Sequence, residues 1–517
     1  MPAETAAPET DQGFLGPHHD RLNVIQIMMD QLPYDALGCY GHPLIETPNI
    51  DQLAAQGVRF TNAYAQTTVC CPSRASQLSG LYPANHGITS NMANLEIIHP
   101  WARFLSDRFY EEEYATAHFG KWHCLRRHED CKFTEFKFLE ESVPIWPQHD
   151  IQKLYCDEAD PVCLHYGGLV HAATHPCGED NTGPARITDY SVEFMERFAY
   201  QPFFLRVSYL GPHAPVLVPR PYDTMYDPAD VEIPDYPYEE FANRPEAIRA
   251  FQQRSIRTRA ETPEGMRPEQ AIRTHVAYNL GLISHIDDQI GRLLAKLRDL
   301  NLEGQTLILF TADHGGFWGE HGLLEKSLIT HYRRLLQLPL IIRCPGVISE
   351  GQVCDDLIEE IDFYPTLLDF AGISYDYRIN GQSFRGALSG EERPYRQRED
   401  VFAEGQFRGA CVASLRDTEW NFIWHAKNGE AELYDLQADP DERHNLAGNS
   451  GHRDVVAEKT TALLNRILLN RDVHLLPDEI HRSPIYLTPG HDAKGHEQAL
   501  ISRFLGHRAD EFPKTAT

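Results

Sequence analysis

Four short apolar runs, each stopping at polar or charged residues, constrain the fold of this chain more than any other feature. They are LNVIQIMMD at 22–30, YATAHFGKWH at 114–123, PFFLRVSYLGPHAP at 202–215 and QTLILFTADHG at 305–315. Continuous apolar runs of this length fit strands that are buried on both faces. We therefore predict four buried strands whose ends carry polar, chemically active side chains.

Helical segments lie between these strands. The clearest is HVAYNLGLISHIDDQIGRLLAKLRDL at 275–300, in which apolar residues recur at steps of three and four. Strands that alternate with amphipathic helices predict an α/β fold, with a mostly parallel central sheet sandwiched by helices. The run at 401–425 alternates apolar and polar residues instead, and it predicts a smaller C-terminal antiparallel sheet.

Composition narrows the classes of function. The chain has 517 residues, 42% of them hydrophobic, which is enough for a large core. Its net charge of -28 and its lack of a basic run argue against a nucleic-acid partner, and no apolar run approaches the ~20 residues that span a bilayer. Residues 1–20 lack the features of a signal peptide, and the eleven cysteines are odd in number and scattered. We expect a mobile N-terminal tail over 1–20, reduced thiols and a cytoplasmic location.

The strand ends place hard metal ligands near one another. Ligands of open α/β sheets bind beyond the carboxyl ends of the strands, so the four polar clusters should converge at one edge of the sheet. Asp30, Asp313 and His314 offer two carboxylates and an imidazole, and Gln31 adds an amide oxygen. This set suits a divalent cation, with calcium first and magnesium or manganese behind it. Any one cluster taken alone could equally be a turn.

A cysteine motif identifies the family that this chain resembles. Cys70-Cys71-Pro72-Ser73-Arg74 is followed by ASQLSGLYPANHG at 75–87. The stretch resembles the Cys-x-Pro-Ser-Arg signature of the type I, formylglycine-dependent sulfatases, which belong to the alkaline phosphatase-like superfamily. The resemblance implies that a separate maturation enzyme oxidises Cys70 to formylglycine, while Cys71 occupies the variable position.

The resemblance extends from residue 23 to about residue 448 and assigns further residues. It places the metal ligands at Asp30, Gln31, Cys70, Asp313 and His314. It places the residues around the sulfate at Lys121 and His123 of GKWH, His213 of GPHAP and Lys326 of GLLEK. Many sulfatases carry a second Asp at Gln31 and an Asn at His314. The pairing found here also occurs in choline sulfatases and phosphonate monoester hydrolases.

The resemblance also implies a mechanism. The aldehyde at Cys70 hydrates to a diol, one hydroxyl attacks sulfur and expels the substrate alcohol, and the second hydroxyl then releases sulfate. Arg74 would hold the hydrated aldehyde and the metal ligands, and Lys121 and Lys326 would neutralise the sulfate oxygens. His123 is the candidate base, and either His213 or Lys326 is the acid at the leaving oxygen.

The sequence further suggests how the chain is divided. We expect a catalytic domain over 21–395, an antiparallel subdomain over 396–450 that includes the family-like LYDLQADPDERHNLAG at 433–448, and a helix with a C-terminal extension over 451–517. The extension could be an arm that crosses to a neighbouring copy, so we expect a homo-oligomer. The His- and Cys-containing segment 148–180 lacks the close ligand spacing of structural zinc sites and is expected to be an irregular insertion near the substrate pocket.

The resulting functional hypothesis is a metal-dependent hydrolase of sulfate monoesters of a sugar or small molecule, working through formylglycine at Cys70. A phosphonate monoester or phosphodiester hydrolase with the same nucleophile is the alternative. A catalytically dead module that binds sulfated ligands is disfavoured, because the full set of candidate catalytic residues is present.

Overall fold

The structure is a computed structural model of the chain. It describes residues 21–91, 98–99, 101–124, 130–138, 164–166, 169–233, 242–259, 266–375, 379–389, 395–407, 410–426 and 429–472. The predicted tail at 1–20 and most of the predicted C-terminal arm, at 473–517, lie outside these residues.

The described strands, in chain order, are β1 Asn23–Asp30, β2 Val58–Tyr64, β3 Ala115–Gly120, β4 Glu135–Phe138, β5 Leu164–Tyr166, β6 Leu169–Thr174, β7 Phe203–Pro212, β8 Leu217–Val218, β9 Thr306–Ala312, β10 Phe317–Trp318, β11 Leu324–Glu325, β12 Gln337–Arg343, β13 Gln352–Cys354, β14 Ile358–Glu359, β15 Val401–Phe407, β16 Ala410–Arg416, β17 Trp420–His425 and β18 Glu430–Asp435.

The described α-helices, in chain order, are α1 Pro48–Ala55, α2 Cys70–Ser79, α3 Pro83–His86, α4 Leu105–Glu111, α5 Gly183–Arg197, α6 Glu246–Arg259, α7 Pro268–Asp299, α8 Arg333–Leu336, α9 Phe363–Phe370, α10 Arg385–Ser389 and α11 Arg453–Asp472.

The central sheet has the order β13-β2-β12-β9-β1-β7-β3-β4, with β14 also paired to β2. Strand β12 runs antiparallel to both of its neighbours, and the other pairs in the sheet are parallel. The four predicted strands are β9, β1, β7 and β3, which lie side by side in that order. Their carboxyl ends therefore meet at one edge of the sheet, as the sequence predicted.

Burial explains why these runs form the centre of the sheet. Every residue of β1, β3 and β9 is buried, so apolar side chains are covered on both faces. Helix α7 confirms the predicted helix at 275–300 and begins earlier, at Pro268, where a proline at the first turn costs no backbone hydrogen bond. Helix α2 is buried over its whole length, so the cysteine motif lies inside the protein.

The C-terminal sheet is an antiparallel meander in the order β15-β16-β17-β18, and the predicted α/β fold with a smaller antiparallel sheet is confirmed. Phe317 and Tyr332 pack with Val412, Ile423 and Tyr434, so this sheet shares a small apolar core with the segment that follows β9. The proposed domain boundaries remain predictions.

The segment 148–180 differs in part from the irregular insertion that we expected. Strand β5 pairs with β6, and β6 pairs with β8, so a small three-stranded sheet forms there. The prediction of irregular structure is wrong for this part, because β8 lies after β7 and supplies a partner that the local sequence does not reveal. His149, Cys156 and Cys163 lie outside the described residues.

Within the described ranges, no helix combines the length and the apolar character needed to cross a membrane.

Candidate active site

Four buried side chains from three elements form the centre of the site. Asp30 ends β1, Cys70 begins α2, and Asp313 and His314 directly follow β9. Their ligand atoms all lie within 4.8 Å of one another, and all four residues are fully buried. The predicted metal ligands therefore converge, although Asp30 and Asp313 are far apart in the chain.

Cationic and imidazole groups surround Cys70. Its Sγ lies 3.1 Å from Lys326 Nζ, 3.6 Å from Lys121 Nζ and 3.2 Å from His314 Nε2. Burial raises the pKa of the Cys70 thiol, but the charges of Lys121 and Lys326 outweigh it and hold that pKa well below its ordinary value. The N-terminus of α2 adds partial positive charge at the same point.

A tight turn delivers Lys121 to the site. Gly120 ends β3 with a φ of 105°, and a side chain there would overlap the carbonyl oxygen of Ser208 on the neighbouring strand. Only glycine accepts this conformation without strain. Lys121 then leaves the strand, and its Nζ lies 2.6 Å from Asp30 Oδ2.

Arg74 holds the two carboxylates in place. Its Nη2 donates to Asp30 Oδ2 at 2.7 Å and its Nε donates to Asp313 Oδ2 at 2.8 Å. Its Nη1 donates to the Lys121 carbonyl at 2.7 Å and to Ser208 Oγ at 2.8 Å. Although burial raises the pKa of Asp30, Lys121 and Arg74 hold it well below its ordinary value. Both carboxylates are thus held in position by a fully buried fork of donors.

Gln31 reaches the same cluster. Its backbone has a φ of 61°, and its N–H donates to Asp313 Oδ1 at 3.0 Å. The side-chain Oε1 accepts from Lys326 Nζ at 2.7 Å, and Nε2 donates to Glu325 Oε2 at 3.1 Å. The amide oxygen therefore faces the ammonium group that contacts Cys70.

The two remaining predicted histidines also come to the site. His123 lies close enough to Cys70 to contribute to lowering the pKa of its thiol. His213 directly follows β7, and its Nδ1 forms a hydrogen bond with the carbonyl of Ala214. The charge of His213 lowers the pKa values of Asp30 and Glu325, so it lies on the same side of the site as both.

Glu325 and His171 also belong to the site, although the sequence did not predict them there. Glu325 precedes Lys326 in GLLEK, and its Oε1 lies 3.1 Å from Nδ1 of His171 on β6. Burial raises the pKa of Glu325, but the nearby His171, His213 and Lys326 lower it to about 2. Its position next to Lys326 was the signal available in the sequence, whereas His171 enters only through the small sheet.

A second group that the sequence did not predict packs against helix α2, which carries the cysteine motif. Glu360 Oε2 lies 2.7 Å from Ser73 Oγ and accepts from Gln77 Nε2 at 3.0 Å, and Glu360 Oε1 accepts from the Gln66 N–H at 3.0 Å. Ser73 Oγ also donates to the Asp313 carbonyl at 2.6 Å. Burial raises the pKa of Glu360 to about 8. This network ties the motif helix to the segment that carries Asp313.

The fold and this site together define the class of the protein. A mostly parallel sheet places two clamped carboxylates, an imidazole and two lysines around one residue at a helix N-terminus, which is an arrangement for binding and cleaving an ester of a tetrahedral anion. The chain is therefore a hydrolase with an alkaline phosphatase-like fold of the α/β class.

Comparison with known proteins specifies the family. A family model described as Sulfatase matches residues 22–373, and one described as N-sulphoglucosamine sulphohydrolase, C-terminal, matches residues 319–468. The chain belongs to the sulfatase family and is a sulfuric ester hydrolase. An arylsulfatase of Clostridium perfringens is 28% identical over 457 residues, covering 84% of this chain and 91% of that protein. Human iduronate 2-sulfatase is 29% identical over 418 residues, covering 72% of this chain and 73% of that protein.

A solved structure supports the same fold. The phosphonate monoester hydrolase of Agrobacterium radiobacter superposes with a TM-score of 0.74 at 26% identity, covering 88% of this chain and 96% of that chain. The predicted alkaline phosphatase-like fold is therefore confirmed, and a hydrolase of a different ester shares it.

Proposed function

We propose that the protein is a metal-dependent hydrolase of sulfate monoesters whose nucleophile is a formylglycine derived from Cys70. The observation that carries the proposal is the ring of groups around Cys70 Sγ, which includes Lys326, Lys121 and His314 within 3.6 Å. In the matured form an oxygen would replace Sγ, so Sγ marks the position of that oxygen in this structure. Groups that contact Sγ here are thus the groups that would meet the reacting oxygen.

The donor set fits a divalent cation. The ligand atoms lie together in four residues: Asp30, Asp313, His314 and the residue at position 70. The Gln31 amide oxygen accepts a hydrogen bond from Lys326, which also contacts position 70. Oxygen-rich sets of this kind suit calcium first and manganese or magnesium second. A bound cation would supply Lewis-acid stabilisation of the developing negative charge.

The side chains around the nucleophile have different proposed roles. Arg74 contacts both carboxylates and so acts as a positioning residue for the metal ligands. Formylglycine supplies a hydrated aldehyde with two hydroxyls. The second hydroxyl, which releases the sulfate, is absent from a serine. His123, which helps to lower the pKa at position 70, is our candidate for the base that accepts a proton from that residue.

The lysines are placed to bind the sulfate group. Lys121 directly follows β3, Lys326 directly follows β11, and both contact position 70. Each side chain is 12% exposed, so a ligand can reach it. Because the whole chain carries a net charge of -28, an anionic substrate depends on such local cations. Lys326 already donates to Gln31 and Cys70, which supports a binding role and favours His213 as the acid at the leaving oxygen.

Phosphonate monoester hydrolysis is the second candidate. The Agrobacterium phosphonate monoester hydrolase has the same fold, and the Gln31 and His314 pairing departs from many sulfatases. Both reactions use the same nucleophile and a tetrahedral anion, so substrate preference has to be measured.

Comparison of kcat/KM on an aryl sulfate, choline sulfate, a sulfated sugar and a phosphonate monoester tests the proposal. The best sulfate ester should exceed the phosphonate ester by at least about tenfold, and Cys70→Ala should abolish turnover of all four. A phosphonate ester as the best substrate would instead support the second candidate. The maturation enzyme, the homo-oligomer and the cytoplasmic location also remain predictions; native mass spectrometry of the full chain tests the oligomer.

A further inference from the structure

The geometry points to Glu325 as a positioning residue that fixes the amide of Gln31, so that its oxygen faces the metal cluster. This inference rests on the metal site proposed above. It concerns a residue that touches none of the reacting atoms. Glu325 would act through one hydrogen bond, from Gln31 Nε2 to Glu325 Oε2 at 3.1 Å.

The orientation of the amide follows from the chemistry of its two neighbours. A carboxylate can only accept hydrogen bonds, and an ammonium group can only donate them. Gln31 lies between Glu325 at 3.1 Å and Lys326 Nζ at 2.7 Å. With the amide reversed, its oxygen would face the carboxylate and its NH₂ would face the ammonium, so both contacts would become repulsive. Only one orientation satisfies both neighbours, and it directs Oε1 towards Lys326 Nζ, which itself lies 3.1 Å from Cys70 Sγ.

Glu325 is itself fixed from the other side. Its second oxygen, Oε1, lies 3.1 Å from His171 Nδ1, and the side chain is 18% exposed. The carbonyl of His171 is in turn 3.2 Å from His275 Nδ1, so the carboxylate is held against β6 and helix α7. Both oxygens therefore have a partner, and the carboxylate cannot rotate without losing one of them.

The backbone supports the pairing. Gln31 and Glu325 have φ values of 61° and 67°, a left-handed conformation that is unfavourable for residues with a side chain. Such strain persists where the surrounding structure requires it, and it clusters at functional sites. Of the seven non-glycine residues with a positive φ in the described part of the chain, Gln31 and Glu325 are two, and this hydrogen bond joins them. That coincidence is expected if the fold requires their side chains to meet.

Calorimetric titration of the purified full chain with calcium, and separately with manganese, tests this role. Outer partners of metal ligands typically contribute 10- to 100-fold in metal affinity. We expect Glu325→Gln, which keeps the shape but permits the reversed amide, to raise the Kd about tenfold. Gln31→Ala should raise it by a similar factor, and the double variant should bind no more weakly than Gln31→Ala alone.

The matched control is Glu320→Gln. Glu320 is an acid in the same segment, and it bonds Arg334 and the Trp318 N–H instead of Gln31. Its Kd should equal that of the wild type. An unchanged Kd in Glu325→Gln, or additive losses in the double variant, would overturn the inference while leaving the metal site intact. A wild type that binds neither ion would overturn the metal site and this inference with it.

Glu325→Asp keeps the test decisive if Glu325→Gln folds poorly. The aspartate keeps the negative charge but is one methylene shorter, so it loses the hydrogen bond from Gln31 Nε2 and should also raise the Kd about tenfold. In the Gln31→Ala background the same change should raise the Kd no further. An unchanged Kd in Glu325→Asp, with wild-type circular dichroism, would show that the contact does not orient Gln31.

Discussion

Lys326 Nζ lies 3.1 Å from Cys70 Sγ, although the two residues are 256 positions apart in the sequence. Lys121 approaches the same sulfur at 3.6 Å from another strand end. Both ammonium groups thus meet at the atom where the nucleophile would form. This convergence places two positive charges at one point of an acidic protein, and charges at such short range dominate over distant ones.

Loss of either lysine should impair every sulfate ester to a similar degree. Lys121→Ala and Lys326→Ala should each lower kcat/KM by about a hundredfold or more, the scale for losing one donor that stabilises developing charge. The surface lysine Lys296, which pairs with Glu196, offers the control Lys296→Ala. The measurement is kcat/KM on an aryl and an alkyl sulfate. A loss confined to one substrate would show that the lysines recognise the leaving group instead.

Active protein should carry formylglycine at Cys70. Conversion lowers the mass of the peptide by about 18 Da, which tryptic mass spectrometry detects. Cys70→Ser should fold and lose turnover, because the second hydroxyl is missing. Cys71→Ser should keep turnover close to that of the wild type, since Cys71 donates its N–H to Asn91 Oδ1 and its side chain packs in the hydrophobic core. Fully active protein with only unmodified Cys70 would contradict the proposal.

Chelation should abolish activity, and calcium or manganese should restore it. The reason is that the pairing of the buried Asp30 and Asp313 side chains with Arg74 leaves further oxygen lone pairs for a cation. Activity is measured after dialysis against a chelator and again after each metal is added back. Full turnover by protein shown to be metal-free would remove the cation from the mechanism.

Arg74→Lys should cost both stability and activity. A lysine keeps the charge but lacks the planar fork that reaches both carboxylates, so one buried anion would lose its partner. We expect the free energy of unfolding to fall by about 3 kcal/mol and kcat to fall by at least tenfold. Arg292→Lys, at an exposed pair with Asp189, is the control and should be nearly neutral. Denaturant unfolding gives the first quantity, and wild-type stability in Arg74→Lys would argue against the clamp.

Glu360 should make the protein less stable as the pH rises. Burial raises the pKa of Glu360 to about 8, above the value of about 4.3 for an exposed glutamate. Between these values the folded state holds a proton that the unfolded chain releases, so the free energy of unfolding falls with rising pH by up to a few kcal/mol.

Glu360→Gln removes this ionisation and keeps the shape. Its melting temperature should therefore decline less than that of the wild type between about pH 5 and pH 8. Thermal unfolding at several pH values measures the difference, and parallel curves for the two proteins would mean that Glu360 is already charged in the folded state.

The sequence by itself determined the layered fold and most of the site. Continuous apolar runs at 22–30 and 305–315 can be satisfied only by strands covered on both faces, and parallel strands bring their carboxyl ends together. Asp30, Asp313 and His314 had to meet for that reason. The proposed nucleophile at Cys70 could also be predicted, because the residues of its motif are contiguous in the chain.

The tertiary structure alone decided the partners that no local pattern encodes. Strand β12 is antiparallel within a parallel sheet, and β6 brings His171 to Glu325, which bonds a glutamine 294 positions away. Each of these contacts depends on how distant segments pack, and the spacing of residues along a chain carries no information about that packing. The sequence therefore determined which groups reach the sheet edge, and the packing determined how they are oriented and charged.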